Sequence, residues 1–190
     1  MGLVNALLKC KADVNATAQD GYTALLQACK KNHWYLAQVL INEGADVNKC
    51  TSEGISPLFV AVEATASKLI QKGALVNLVK FQSGALDGIV ELTPLAQAAA
   101  KGLNAMVKLL LDSGANINYF CSDTLPALGF TIIGDHIETF HLLLSSPNLV
   151  KTLAGRSSVI ITSVRQMNTI TRKLLEILGG PQSSCDPSPT

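Results

Sequence analysis

Short apolar runs alternate along the chain with polar, turn-forming stretches, and the alternation repeats. Ala6-Leu7-Leu8, Val39-Leu40-Ile41, Leu69-Ile70 and Leu109-Leu110-Leu111 are helix-like runs. Four near-identical segments follow them: Lys11-Ala12-Asp13-Val14-Asn15, Gly44-Ala45-Asp46-Val47-Asn48, Gly73-Ala74-Leu75-Val76-Asn77 and Gly114-Ala115-Asn116-Ile117-Asn118. A second theme falls between these segments: Thr23-Ala24-Leu25, Ser56-Pro57-Leu58, Thr93-Pro94-Leu95 and the weaker Leu125-Pro126-Ala127. Its starts lie 33, 37 and 32 residues apart. Two themes recurring in step define one repeating unit.

The residue types predict a helix pair in each unit. A Thr or Ser hydroxyl can cap a helix, and Pro suits its first turn. The first helix carries small residues, Ala28, Ala61, Ala98 and Ala99, which let neighbouring units approach closely. The second carries paired Leu, Val and Ile, and the Gly after it is the expected left-handed cap. Asp46 to Gly54 then forms a turn or hairpin leading to the next unit. Each pair has an apolar face that only a stacked neighbour can cover.

A period near 33 with a Thr-Pro-Leu start resembles the ankyrin-repeat family over residues 1–149. The resemblance implies an all-α solenoid of stacked helix-turn-helix units with hairpin loops. The family's Thr-Pro-Leu-His start lacks its His here, where Leu26, Phe59, Ala96 and Leu128 stand. That makes the core more apolar.

On this reading residues 1–19 are a partial repeat with only its second, outer helix, and 20–149 hold four repeats. The half-repeat start fits either a shortened version of a longer repeat protein or an improvised cap. The second full repeat is short: Ser56 to Gly73 spans 17 steps, where Thr23 to Gly44 and Thr93 to Gly114 span 21. A shortened outer helix around Ser67–Gln71 is the expectation. The third repeat follows an eight-residue insertion, because Asn77 to Thr93 takes 16 steps against 8 from Asn15 to Thr23. Residues 78–92 bracket the turn-rich Gln82–Gly88 with β-prone runs and read as an extended hairpin. The fourth repeat is degenerate, ending in Ser145-Ser146-Pro147-Asn148. Residues 150–180 read as a degenerate fifth repeat or capping helices, and the Pro- and Ser-rich 181–190 as a disordered tail.

Composition narrows the function. Of 190 residues, 48% are hydrophobic and 15% charged, enough apolar content for a core. A net charge of +1 supplies no basic stripe for phosphates, so nucleic acid is not an expected partner. The five Cys form no C-x-x-C pair, which points to reduced thiols and a cytoplasmic or nuclear location. The N-terminus has no basic start of a signal peptide, and Ala6 stands where a myristoylation site wants Ser or Thr. No apolar run is long enough for a membrane span.

Catalytic chemistry finds no motif. His33 reads as a residue of the turn between helices, and His136 and His141 do not share one helix face. No nucleotide-binding Gly loop, nucleophile elbow, paired carboxylates or converging metal ligands are present, so no catalytic, cofactor or metal residues are assigned. The expected function is an interaction module, a scaffold or adaptor monomeric on its own, binding a protein or peptide. The alternatives are a regulatory or substrate-recruiting subunit of an enzyme complex, or a truncated form of a longer repeat protein.

The resemblance also implies where a partner binds: on hairpin tips and the exposed side of the first, inner helices. In the first full repeat the candidates are Gln19, Asp20, Tyr22, Gln27 and Lys31, with Trp34 beside the turn between helices. Glu53 and Ile55 follow in the second, and Gln97 and Lys101 in the third. Phe81 and Leu86 belong to the insertion, which reads either as part of the binding face or as a tolerated loop.

Overall fold

The computed structural model describes residues 6, 10–83, 89–119 and 127–147. The chain divides into two units, 1–149 and 150–190, and the described residues belong to the first. The expected fifth repeat and tail lie outside them.

Among the described residues four helix pairs succeed one another: α1 (Ala24–Lys30) with α2 (Trp34–Asn42), α3 (Pro57–Val60) with α4 (Glu63–Gln71), α5 (Pro94–Ala100) with α6 (Asn104–Asp112), and α7 (Ala127–Ile133) with α8 (Ile137–Leu144). Between α4 and α5 runs an antiparallel ribbon, β1 (Lys80–Ser83) and β2 (Ile89–Leu92), pairing Lys80 with Leu92 and Ser83 with Ile89. The fold is an all-α repeat stack carrying one two-stranded ribbon.

Local chemistry fixes both ends of the pairs. The hydroxyls of Thr23, Ser56 and Thr93 accept the backbone N–H three residues on, at 3.1 Å in each case. Pro57 and Pro94 occupy the first turns of their helices, where no N–H is needed. At the far ends Gly44, Gly73 and Gly114 sit at φ 88°, 87° and 85°, a region that costs a side chain energy. The following N–H of Ala45, Ala74 and Ala115 then donates back to Leu40, Leu69 and Leu110 at 2.9 Å, closing three alike helix ends. Lys11 holds the same left-handed conformation, φ 58°, in the corresponding place.

The repeated Asn joins one unit to the next. Asn15 Oδ1 accepts from Asp46 N at 2.7 Å, Asn48 Oδ1 from Leu75 N at 2.8 Å, and Asn77 Oδ1 from Asn116 N at 2.8 Å. Their Nδ2 groups donate to the carbonyls of Gly44, Gly73 and Gly114. These clasps hold the loop ends of successive units in register. Leu25, Leu58, Leu95 and Leu128 of the inner helices and Leu40, Leu69, Leu110 and Leu143 of the outer ones fill the continuous core between them.

The shortening of the second repeat falls elsewhere than the spacing suggested. Outer helix α4 keeps nine residues, like α2 and α6; inner helix α3 has four where α1, α5 and α7 have seven. The reason lies in the turn between helices. Asn32, Gly102 and Asp135 take left-handed φ values of 56°, 64° and 58° after their inner helices. The next N–H, of His33, Leu103 or His136, then bonds back to Ala28, Ala98 or Thr131. After Val60 no such residue stands, and Ala61 and Val62 run extended straight into α4. An outer helix cut at Ser67–Gln71 would have displaced Gly73 from the Asn48 clasp.

Candidate binding face

The loops between repeats end in tight turns. Ala18 N donates to Tyr22 O and Gly21 N to Ala18 O in the first; Thr51 N donates to Ile55 O and Gly54 N to Thr51 O in the second. The two tips lie against each other: a Cβ added to Gly21 would sit 3.1 Å from Thr51 Cα. Gln19, Asp20 and Glu53 on these tips are exposed.

Beneath the tips lies an apolar cluster of Leu26, Ile55 and Phe59, with half-buried Tyr22, Val60 and Leu92 packed over it. Lys30 Nζ donates to Tyr22 Oη at 3.1 Å and lies 4.7 Å from the ring centroid, a cation–π contact that holds the ring in place. Lys80 Nζ sits 5.6 Å from the centroid of Phe59. Tyr119 Oη donates to Glu91 Oε2 at 2.6 Å. On the inner helices Gln27, Lys31 and Lys101 are exposed and Gln97 is half-buried.

Ile55 lies inside this face, and Trp34 stands beside the turn between helices, where the sequence puts it, on the outer-helix side. Ile55 is 9% exposed and forms part of the cluster under Phe59, so it supports the face from within. Trp34 is 58% exposed but stands at the start of an outer helix. With Gln38 and Ile41 of α2 and Thr65, Lys68 and Gln71 of α4, it lines a groove of about 340 Å³ between outer helices. Its ring meets Tyr35 edge-on at 5.7 Å. Phe81 lies on β1 opposite Glu91. Leu86 lies outside the described residues.

One feature was missed by sequence reasoning. The early end of α3 leaves a groove of about 410 Å³ between the second and third repeats. Val60–Glu63 form one wall, and Gln97, Ala98 and Lys101–Met106 the other. Val62 and Leu103 are exposed beside it, at 41% and 46%. The 17-step spacing was the available signal, together with the lack of any Asn, Gly or Asp between Val60 and Glu63.

Reactive groups are subdued in this region. Burial pushes the Cys29 thiol up to about 12, and Cys50 is also raised, by burial and then by the Asp46 carboxylate. Neither supplies a thiolate nucleophile near neutral pH. Among the described residues no three His, Cys, Asp or Glu side chains cluster as a metal site. No described helix is long and apolar enough to cross a membrane.

Comparison with known proteins agrees with the geometry. The family pattern "Ankyrin repeats (3 copies)" matches residues 1–80, and "Ankyrin repeat" matches residues 91–121. A probable E3 ubiquitin-protein ligase of Oryza sativa subsp. japonica, XBOS32, is 27% identical over 75% of this chain. Ankyrin repeat and SOCS box protein 16 of Homo sapiens is 32% identical over 67% of it. The chain spans 27% of the length of each of these two. The putative ankyrin repeat protein YahD of Escherichia coli is 28% identical over 60% of this chain and is matched over 57% of its own length. With the capped helix pairs, left-handed glycines and interlocking asparagines all in one period, the chain belongs to the ankyrin-repeat family.

Proposed function

We propose that the chain binds a partner protein or peptide on the face built by its hairpin tips and inner helices, acting as a scaffold or adaptor module with no catalytic step of its own. The supporting observation is the placement of Gln19, Asp20, Gln27, Lys31, Glu53 and Lys101 as exposed side chains on neighbouring repeats whose backbones are clasped together. A face held this way loses little freedom on binding. Its mixed charges suit a polypeptide better than a phosphate backbone. The ribbon carrying Phe81 extends the same row of hairpins and takes part in recognition. The unit is monomeric on its own and works in the cytoplasm or nucleus.

Co-purification from cells tests this. Asp20→Ala combined with Glu53→Ala removes the partner while the thermal melt stays unchanged. An unaltered set of co-purifying proteins, for this variant and for one lacking residues 82–88, contradicts the reading.

A second reading has its own support: relatives whose names include E3 ubiquitin-protein ligase carry similar repeats within longer chains. On that reading the repeats recruit a substrate to a larger enzyme complex. Detection of ubiquitin-conjugating machinery among the co-purified proteins favours it.

A further inference from the structure

We infer that the groove between the outer helices α2 and α4 holds a glutamate side chain of a partner protein, its carboxylate at Lys68 and Thr65 and its methylene stem on Trp34. The inference rests on the proposed polypeptide-binding role and adds to it a second contact, made by outer helices.

Two junctions between outer helices differ at one hydrogen bond. Between the third and fourth repeats Asn104, the first residue of α6, accepts from the hydroxyl of Thr139, the third residue of α8. Thr65 holds the same third place in α4, and the first residue of α2 is Trp34, which lines a groove with it. An indole offers only a donating N–H, so it cannot take the hydroxyl proton as Asn104 does. Thr65 is 4% exposed, and its Oγ1 is buried without a hydrogen-bond partner. Among the described residues no other buried side-chain oxygen or nitrogen is left so. An unmet buried hydroxyl is costly, and an acceptor entering the groove relieves that cost.

The lining selects the acceptor. Gln38, Ser67 and Gln71 make it polar, and half-buried Lys68 brings its one charge. No carboxylate lines the groove: Glu63, at the start of α4, lines the other groove, and Glu43 caps the far end of α2. Among the described residues the Lys68 ammonium has neither an ion pair nor a hydrogen bond. A carboxylate answers a positive charge and an unmet hydroxyl together. The remaining wall is Trp34, 58% exposed, with Ile41. A flat apolar ring beside a cation suits glutamate, whose two methylene groups cover the ring while the carboxylate reaches Lys68. A free phosphate has no such stem. The volume of about 340 Å³ lies at the lower end of ligand-site sizes and admits a short segment.

Trp34 is the chain's one tryptophan, so intrinsic tryptophan fluorescence reads this groove alone. The full chain is titrated with two end-blocked peptides, Ser-Pro-Glu-Leu-Ser and Ser-Pro-Gln-Leu-Ser. The Glu peptide is expected to shift the Trp34 emission to shorter wavelength and to bind about tenfold more tightly than the Gln peptide. Lys68→Met keeps the stem and removes the charge; it should weaken the Glu peptide about tenfold and abolish the salt dependence of its binding. Thr65→Val should weaken it about threefold while raising the melting temperature of the free chain, a pair of effects that a purely structural Thr65 would not give. If Thr65→Val does not fold, Lys68→Met and the two peptides decide. Equal binding of the peptides overturns the inference, as does binding unchanged in Lys68→Met, or no emission shift with either peptide. An equal shift with inorganic phosphate makes the groove a general anion site and overturns the glutamate assignment. In co-purification, loss of partners by the Asp20/Glu53 variant but by neither groove variant sinks the groove alone. Loss by none of them sinks the binding face as well.

Discussion

The junction between the third and fourth repeats is plugged, and the junction between the second and third is open. At the plugged junction the His136 ring lies between Gly102 and Gly134, where an added Cβ on either glycine would come within 2.5 Å of it. Its Nε2–H donates to the Ala100 carbonyl at 3.0 Å, the only role open to a nitrogen facing a carbonyl. Asn104 adds a second tie from α6, donating to Glu138 at 2.9 Å and accepting from Thr139 of α8. At the open junction Leu103 occupies the place equivalent to His136, but the turn it would reach has been removed with the end of α3, so it stays exposed.

The difference shows that the two ends of a repeat tolerate change unequally. At the loop end the Asn clasps bridge 31, 27 and 39 residues of sequence, spanning both the deletion and the insertion with the same pair of bonds. The turn end carries no such shared backbone contact and absorbs the loss as a groove. The insertion is absorbed differently, as a ribbon whose strands pair with each other.

The comparison can be broken most forcefully at the plugged side. Gly102→Val combines a left-handed φ with a Cβ inside the His136 ring, and is expected to cost about 3 kcal/mol or more in urea unfolding. His136→Ala should recover a large part of that loss in the double variant. A cost below about 1 kcal/mol would show that the junction yields.

At the loop end Asn48→Ala removes two bonds, to Leu75 N and Gly73 O, and should cost about 2 kcal/mol. A negligible effect by the same measurement would mean that the clasp across the shortened repeat carries no load.

Cys29 extends the comparison to the first repeat, where the core is closed. Its thiol is neutral in both states at neutral pH. Above about pH 9 it ionises when unfolded but stays protonated in the fold until about pH 12. The unfolded state then binds fewer protons, so stability falls as pH rises through that window, by about 1 kcal/mol at pH 10. Cys29→Ala should flatten this slope in pH-dependent unfolding. An unchanged slope would show that Cys29 is not shielded.

The smallest effect belongs to the open side. Val62→Thr, a change of similar shape at a position 41% exposed, should change stability by less than about 0.5 kcal/mol. A loss of 2 kcal/mol would mean that Val62 is buried and the groove closed.

Much of the fold was legible because its signals are local. The Thr23, Ser56 and Thr93 caps act within three residues, and the glycine ends within five. What Asn15, Asn48 and Asn77 do was not legible, since their partners lie a whole repeat away. Counting revealed a deletion between Ser56 and Gly73 but not its location, because spacing is blind to which helix of a pair is cut. The candidate face was read in part. Ile55 precedes Ser56 at the base of a hairpin, where facing in or out depends on whether Phe59 covers it. Trp34 follows the turn, and its side was decided by the helix it begins.

Amide hydrogen exchange at the four turns tests the open junction most directly. The N–H groups of His33, Leu103 and His136 should be protected by their bonds back to the inner helices, and that of Val62, in an exposed and extended residue after α3, should exchange much faster than theirs. Protection of Val62 equal to that of Leu103 would contradict the account, because α3 would then close as its neighbours do.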